Sequence, residues 1–179
     1  SEIGNYYDPV NYVSHTGTKK GIVNKLFHAV RKITLRNKFK LLTKVSKGKR
    51  HLDIGAGNGI FLNFMKEKGW DVSGIELDDT SRVAIEKNTG LKIATTVHEN
   101  SETNEYDVIT MWHVLEHVYD LKKDITAIKS KLKKDGVFIV AVPNCDSYDA
   151  AFYKEYWAAY DLPIHLYHFR PKNINDLFA

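Results

Sequence analysis

Cysteine is almost missing from this chain. Cys145 is the single one among 179 residues, so no internal disulfide can form. No apolar run is long enough to span a bilayer, and no signal-peptide pattern is visible. The expected location is therefore the cytoplasm, where a lone thiol stays reduced. Internal repeats and low-complexity tracts are absent as well. Acidic residues are scarce at one end only. Glu2 and Asp8 stand against twelve Lys/Arg in residues 1–50, a net of +10, whereas residues 51–179 hold 14 Lys/Arg against 20 Asp/Glu, a net of −6. The remaining composition, 43% hydrophobic and 27% charged, is that of an ordinary globular domain with enough chain to bury a core.

Residues 1–18 are rich in turn formers and tyrosine and read as an arm. From about Lys19 to Lys47, Ile22, Leu26, Val30 and Ile33, then Leu35, Phe39, Leu42 and Val45, recur at helical spacing. One bent helix or two short ones are expected there, with lysines outward. An alternation follows. Strands are expected at His51–Ile54, Asp71–Glu76, Lys92–Thr96, Tyr106–Trp112 and Gly136–Val142. Helices are expected at Gly59–Lys68, Thr80–Asn88, Leu121–Leu132, Asp149–Ala159 and from Pro171 onward. Short apolar strands such as GVFIVAV suit a sheet buried on both faces. Strand–helix alternation implies a Rossmann-like, doubly wound α/β fold with a mainly parallel sheet, whose ligand binds at the carboxyl ends of the strands.

The run HLDIGAGNGIF, His51 to Phe61, places that ligand. It reads as a buried strand, a turn with Gly55, Gly57 and Gly59, and a helix start. Glycine allows backbone angles and close approaches that a Cβ blocks, and a helix N-terminus offers N–H groups to a ligand. Asp53 precedes the turn, and Glu76 ends the next strand, where nucleotide folds place a carboxylate for ribose hydroxyls. The spacing is G-x-G-x-G and then bulky Ile60 and Phe61, not the G-x-G-x-x-G that holds a pyrophosphate. A cofactor without a pyrophosphate is expected, which disfavours a nicotinamide-dependent oxidoreductase.

These segments resemble the class I S-adenosylmethionine-dependent methyltransferases. HLDIGAGNG is similar to their first motif, SGIELDD to the acidic second, YDVITMWHVLEHVYD to the fourth-strand motif and LKKDGVFIVAVPN to the fifth-strand segment. The tail WAAYDLPIHLYHFRP and the head YYDPVNYVSH resemble a small-molecule branch near the quinone-biosynthesis O-methyltransferases. The resemblance implies S-adenosylmethionine as cofactor, bound by Asp53, Gly55, Ala56, Gly57, Gly59, Glu76 and Leu77, with Trp112 and His113 at the sulfonium end. Thr96, Val97 or His98 would meet the adenine edge. Tyr6, Tyr7, Tyr12 and Trp112 are candidate aromatic faces for the sulfonium. The implied organisation is an arm and basic helical lid over 1–48 and a cofactor-binding core over 49–179. The last two strands of the usual seven are missing from the pattern, so the fifth-strand edge invites self-association.

The chemistry is expected in HVLEH, His113 to His117, where a helix starting near Val114 would set His113, Glu116 and His117 on one face, with His165 and His168 downstream. His117 or His165 is a general base for an acceptor hydroxyl; or His113, Glu116, His117 and His165 gather a divalent metal, as in E-x-x-E-H methyltransferases; or the cluster is structural. Metal is the less favoured reading, since His113 stands where that pattern has Glu. The expected reaction is methyl transfer to a hydroxyl of a small or lipid-like acceptor. The alternatives are N- or C-methylation, a nicotinamide oxidoreductase or a non-catalytic binding module. The basic segment 19–50 reads as a solvated lid face, a contact to an anionic membrane surface or a steering patch. Nucleic acid is disfavoured, because no aromatics interleave with the charge.

Overall fold

The computed structural model describes residues 22–99 and 103–179. Tyr6, Tyr7 and Tyr12 of the expected arm lie outside the described residues. The basic segment forms one helix, α1 (Ile22–Val45). No glycine or proline interrupts it, so nothing forces the expected break. Leu35, Phe39 and Leu42 turn inward. The helix carries seven Lys/Arg and no acid, and leaves Leu26, Val30 and Ile33 more than half exposed.

Five strands follow: β1 (Arg50–Ile54), β2 (Asp71–Ile75), β3 (Ile93–Ala94), β4 (Tyr106–Trp112) and β5 (Leu132–Ala141). They form one sheet in the order β3-β2-β1-β4-β5, and every pairing is parallel. Ile54 stands in register with Ile75 on one side and Met111 on the other, so the carboxyl ends of the three central strands finish level. The strand order reverses at β1, and a crevice opens there. Neighbouring residues of β4 face opposite cores. Val108 packs with α1, α2 (Ile60–Glu67) and α3 (Asp79–Thr89), whereas Ile109 packs with α4 (Leu121–Lys131) and α6 (Pro171–Phe178).

Three elements differ from expectation. β3 is two residues long because only Ile93 and Ala94 find partners, in Gly74 and Ile75. β5 begins at Leu132, which pairs with Tyr106 across an irregularity. α5 (Tyr148–Tyr153) stops short of Ala159: Lys154 takes a φ of 50° and two single 3-10 turns follow, Lys154–Tyr156 and Ala158–Tyr160. Among the described residues no strand flanks the outer side of β5. There α6 sets Phe178 against Phe138, ring centroids 5.6 Å apart. No helix of the described residues is long and apolar enough to cross a membrane.

Candidate active site

The turn between β1 and α2 runs through three left-handed glycines, Gly55, Gly57 and Gly59, with φ of 74°, 55° and 72°. At Gly55 a Cβ would fall 2.2 Å from Val114 Cγ2, and at Gly59 2.7 Å from Ile85 Cγ1. Close packing and backbone sign therefore both require glycine at these two positions.

The turn's N–H groups do not point at a ligand, as the helix-terminus reading expected. Gly55 and Ala56 donate to the Ile75 carbonyl at 2.8 and 3.0 Å, and Gly59 to the Ala56 carbonyl at 2.9 Å. Gly57 donates to Glu76 Oε2 at 2.6 Å and Ile60 to Asn58 Oδ1 at 3.2 Å. The cause is the level register of β1 and β2, which brings the end of β2 alongside the turn. These five N–H groups are therefore not offered to a phosphate.

Glu76 is the hinge of this arrangement. Its Oε1 accepts from Asp78 N at 3.0 Å while Oε2 holds Gly57, so one carboxylate staples the turn to the loop after β2. Asp78 in turn caps α3 by accepting from Ser81 N at 2.7 Å. Arg82 Nη1 donates to the carbonyls of Glu76 and Leu77 at 3.0 and 2.8 Å. The glutamate's position is thus fixed from both sides.

A cleft of about 1100 Å³ opens above these strand ends. Gly55, Gly57, Glu76, Leu77, Trp112, His113, His117 and His165 all line it, together with Thr96 and Val97. His98 does not; its Nε2 lies 2.8 Å from Asp124 Oδ1. Asp53, Ala56 and Gly59 also stay out of the lining and support the turn from below. Ala56 belongs to the core, and Asp53 is 3% exposed. Among the described residues the cleft wall carries five carboxylates, those of Glu76, Asp78, Glu116, Asp124 and Asp161, and no lysine or arginine.

Under the turn runs a buried polar chain. Thr110 Oγ1 donates to Asp53 Oδ1 at 2.6 Å and lies 2.7 Å from His51 Nε2. Since the threonine proton goes to Asp53, His51 donates through Nε2 and is neutral. Burial pushes the Asp53 carboxyl up to about 7, and the Thr110 hydrogen bond and the Lys38 charge only partly oppose it. Burial pulls His51 down to about 3. Lys38 comes from α1. Its Nζ lies 4.2 Å from the Trp112 ring centroid and 5.3 Å from that of Phe61, and burial lowers its pKa. Trp112 therefore lines the cleft with one ring face already under a cation. The sequence reading missed Thr110 and Lys38. Their signals were a lone hydroxyl inside the apolar strand YDVITMW, and a lysine on the inward stripe of α1 between Leu35 and Leu42.

Beyond β4 the chain turns sharply. His113 has a φ of 57°, and its N–H is held by the Ala141 carbonyl at 2.8 Å. A 3-10 turn, Leu115–His117, follows where a helix was expected. The Glu116 carbonyl accepts from Leu166 N at 2.8 Å, which pins the 161–167 loop over this turn. His117 Nδ1 faces the Ile164 carbonyl at 3.2 Å, and His165 Nδ1 faces the Ala159 carbonyl at 2.7 Å. The two imidazoles meet edge to face, centroids 4.7 Å apart. Ligand atoms of Glu116, His117 and His165 all lie within 4.8 Å of one another. His113 stays outside this trio, 65% exposed, with Nδ1 3.7 Å from Glu116 Oε1. His168 turns away to the Tyr160 carbonyl at 3.0 Å.

Known proteins share this architecture. A methyltransferase-domain family profile matches residues 24–179. A ubiquinone biosynthesis O-methyltransferase of Haemophilus ducreyi is 33% identical over 110 residues, 54% of this chain and 46% of that protein. Its namesake from Vibrio atlanticus is 39% identical over 97 residues, 50% of this chain and 40% of that protein. The chain thus spans about half the length of the curated relatives it matches. The crystal structure of a SAM-dependent methyltransferase from Archaeoglobus fulgidus superposes with a TM-score of 0.66 at 21% identity, over 83% of this chain and 66% of that one; at that identity the likeness is one of fold. The family match begins within α1 and runs through the glycine turn, the fixed glutamate and the histidine pair to the end of α6, and on that extent this chain belongs to the methyltransferase-domain family.

Proposed function

We propose that this protein transfers a methyl group from S-adenosylmethionine to a hydroxyl of a small, largely apolar acceptor. The observation that carries the reading is the cleft wall, rich in carboxylates and, among the described residues, free of Lys/Arg, with Glu76 fixed at the end of β2. Such a wall favours a cationic ligand over a phosphorylated one. The committed N–H groups of the glycine turn support the same choice.

Glu76 would accept the ribose hydroxyls. Leu77, 72% exposed beside it, and Val97 offer apolar faces to a purine. S-adenosylmethionine supplies a methyl group already activated by a sulfonium; what remains for the protein is alignment and removal of the acceptor's proton. Val114, Val118, Trp157 and Ile164 give the acceptor half of the cleft its apolar walls. The proton is received at the Glu116–His117–His165 cluster. Burial lowers the His117 pKa below its ordinary value, so the ring is neutral at physiological pH. The division into a basic segment over 1–48 and a core over 49–179 is part of this proposal; among the described residues α1 lines no part of the cleft and meets it only from beneath, through Lys38 on Trp112. A cytoplasmic location belongs to the same proposal.

Calorimetry with S-adenosylmethionine and with NAD tests the cofactor. Saturable binding of the first and none of the second is expected; the reverse order discards the reading. For the acceptor side, His117→Ala is expected to lower turnover by about a hundredfold or more, in the range of lost acid–base catalysis, with cofactor affinity changed less than about threefold. Unchanged turnover removes His117 from the reaction.

A further inference from the structure

Helix α1 is apolar on two sides. Leu35, Phe39 and Leu42 face the core. Leu26 stands nine residues before Leu35, about two and a half helical turns, so it lies on the opposite side. Val30 and Ile33 follow Leu26 at i+4 and i+7 on that outer side. The three are 65%, 52% and 57% exposed, and among the described residues neither the cleft nor the two cores use them. The charges around this stripe are of one sign. The helix has five Lys, two Arg and no acid. Lys38 turns inward onto Trp112. Lys25, Lys32 and Arg36 border the stripe along one flank, and Lys40 and Lys44 continue its line beyond Ile33. Among the described residues none of these five is paired with a carboxylate.

We propose that the outer face of α1 docks on an anionic phospholipid bilayer, with Leu26, Val30 and Ile33 entering the headgroup boundary and the cations beside them meeting lipid phosphates. A helix that lies in a membrane interface joins these two features, an apolar stripe and a polar face rich in Lys/Arg. Nucleic acid would use the cations and gain nothing from three aliphatic side chains. A protein partner would cover the stripe, but protein interfaces are depleted in lysine, which supplies five of the seven cations. A second copy packed face to face would set the unpaired cations against one another. The body over 51–179 has a net charge of −6 and is repelled by the same leaflet, so the field turns α1 toward the lipid. Lys38, which touches the Trp112 wall of the cleft, follows Ile33 by only ~7.5 Å along the helix. Docking therefore holds the cleft close to a leaflet in which an apolar acceptor dissolves. Only that last point rests on the methyl-transfer reading; lipid binding is tested without cofactor or turnover.

The test is co-sedimentation of the full chain with vesicles of phosphatidylcholine alone and of phosphatidylcholine mixed equally with phosphatidylglycerol. Saturable binding to the anionic vesicles is expected, at least about tenfold tighter than to the neutral ones, and weakening as salt shortens the screening length. Leu26→Ser, Val30→Ser and Ile33→Ser combined should lower partitioning by at least about tenfold at unchanged charge. Lys25→Gln with Lys32→Gln should lower it by about twentyfold, at about fivefold for each charge. All five side chains are exposed, so urea midpoints should stay at the wild-type value. Should the triple variant fail to fold, the charge pair and the wild-type lipid preference still decide. Equal affinity for both vesicles, no binding to the anionic ones, or wild-type binding by a folded triple variant each overturns the proposal. Binding of a random-sequence polynucleotide, or self-association that the triple variant abolishes, with the vesicles left unbound, gives the face to another partner and overturns it as well.

Discussion

Replacing Glu76 by alanine is expected to weaken S-adenosylmethionine binding by two to three orders of magnitude and to loosen the glycine turn in the same step. Its carboxylate accepts from Gly57 N at 2.6 Å and from Asp78 N at 3.0 Å. Hydrogen bonds to a charged acceptor contribute about 1.5–3 kcal/mol each. Losing both exposes two backbone donors and also removes the proposed ribose acceptor. Glu76→Gln should be nearly as damaging. A carboxamide has one acceptor oxygen, so its NH2 would be set against one of the two backbone N–H groups. Calorimetry and urea unfolding of both variants provide the check. Affinity within tenfold of wild type in Glu76→Ala would mean that the glutamate braces the turn without touching the cofactor.

The second large effect is hidden in the wild-type protein. Asp53, with its carboxyl near 7 in the fold, favours the native state fully below its ordinary value of 3.8, and that advantage is lost as pH rises through about 7. His51 works in the opposite direction. Held near 3 in the fold, it contributes stability that is present above its ordinary 6.5 and lost as pH falls toward 3. Between the two ordinary values, folded and unfolded chains therefore bind the same number of protons at this pair. The proton sits on Asp53 in the fold and on His51 in the unfolded chain, so the pair gives stability no pH slope. Asp53→Asn keeps an acceptor for Thr110 and removes one side of this balance. Between about pH 4 and pH 6.5 the variant's stability should then rise by about 1.4 kcal/mol per pH unit more steeply than wild type. Above pH 7 it should exceed wild type by up to about 4 kcal/mol, the linkage value of a three-unit shift. Urea midpoints across that range measure both. Parallel curves for variant and wild type would show that Asp53 ionises normally in the fold.

Much of this was written locally in the chain. The strand Tyr106–Trp112 was legible to the residue because its apolar run is bounded by polar neighbours on both sides. The five strands, the glycine turn and Glu76 were legible for a like reason, because apolar runs and turn residues recur at local spacings that mark strand, turn and helix start, although their hydrogen bonds join distant segments. The class of cofactor came from the same source, from the G-x-G-x-G spacing and the carboxylate at the end of the next strand.

What the sequence alone determined is therefore the doubly wound frame and the residues of the proposed cofactor half of the cleft. The proposed acceptor half was decided by tertiary structure. His113 looked like a partner of His117 on one helical face, but a left-handed backbone at His113 breaks that face and turns its ring outward. His165 lies 48 positions from His117 in the chain, and it arrives beside that ring only because the Glu116 carbonyl catches the loop's Leu166. The neutrality of His51, the raised Asp53 and the reach of Lys38 onto Trp112 arise in the same way. Each depends on how much water the packed layers exclude and on which distant strand or helix lies across the gap, and residue spacing along the chain holds neither quantity.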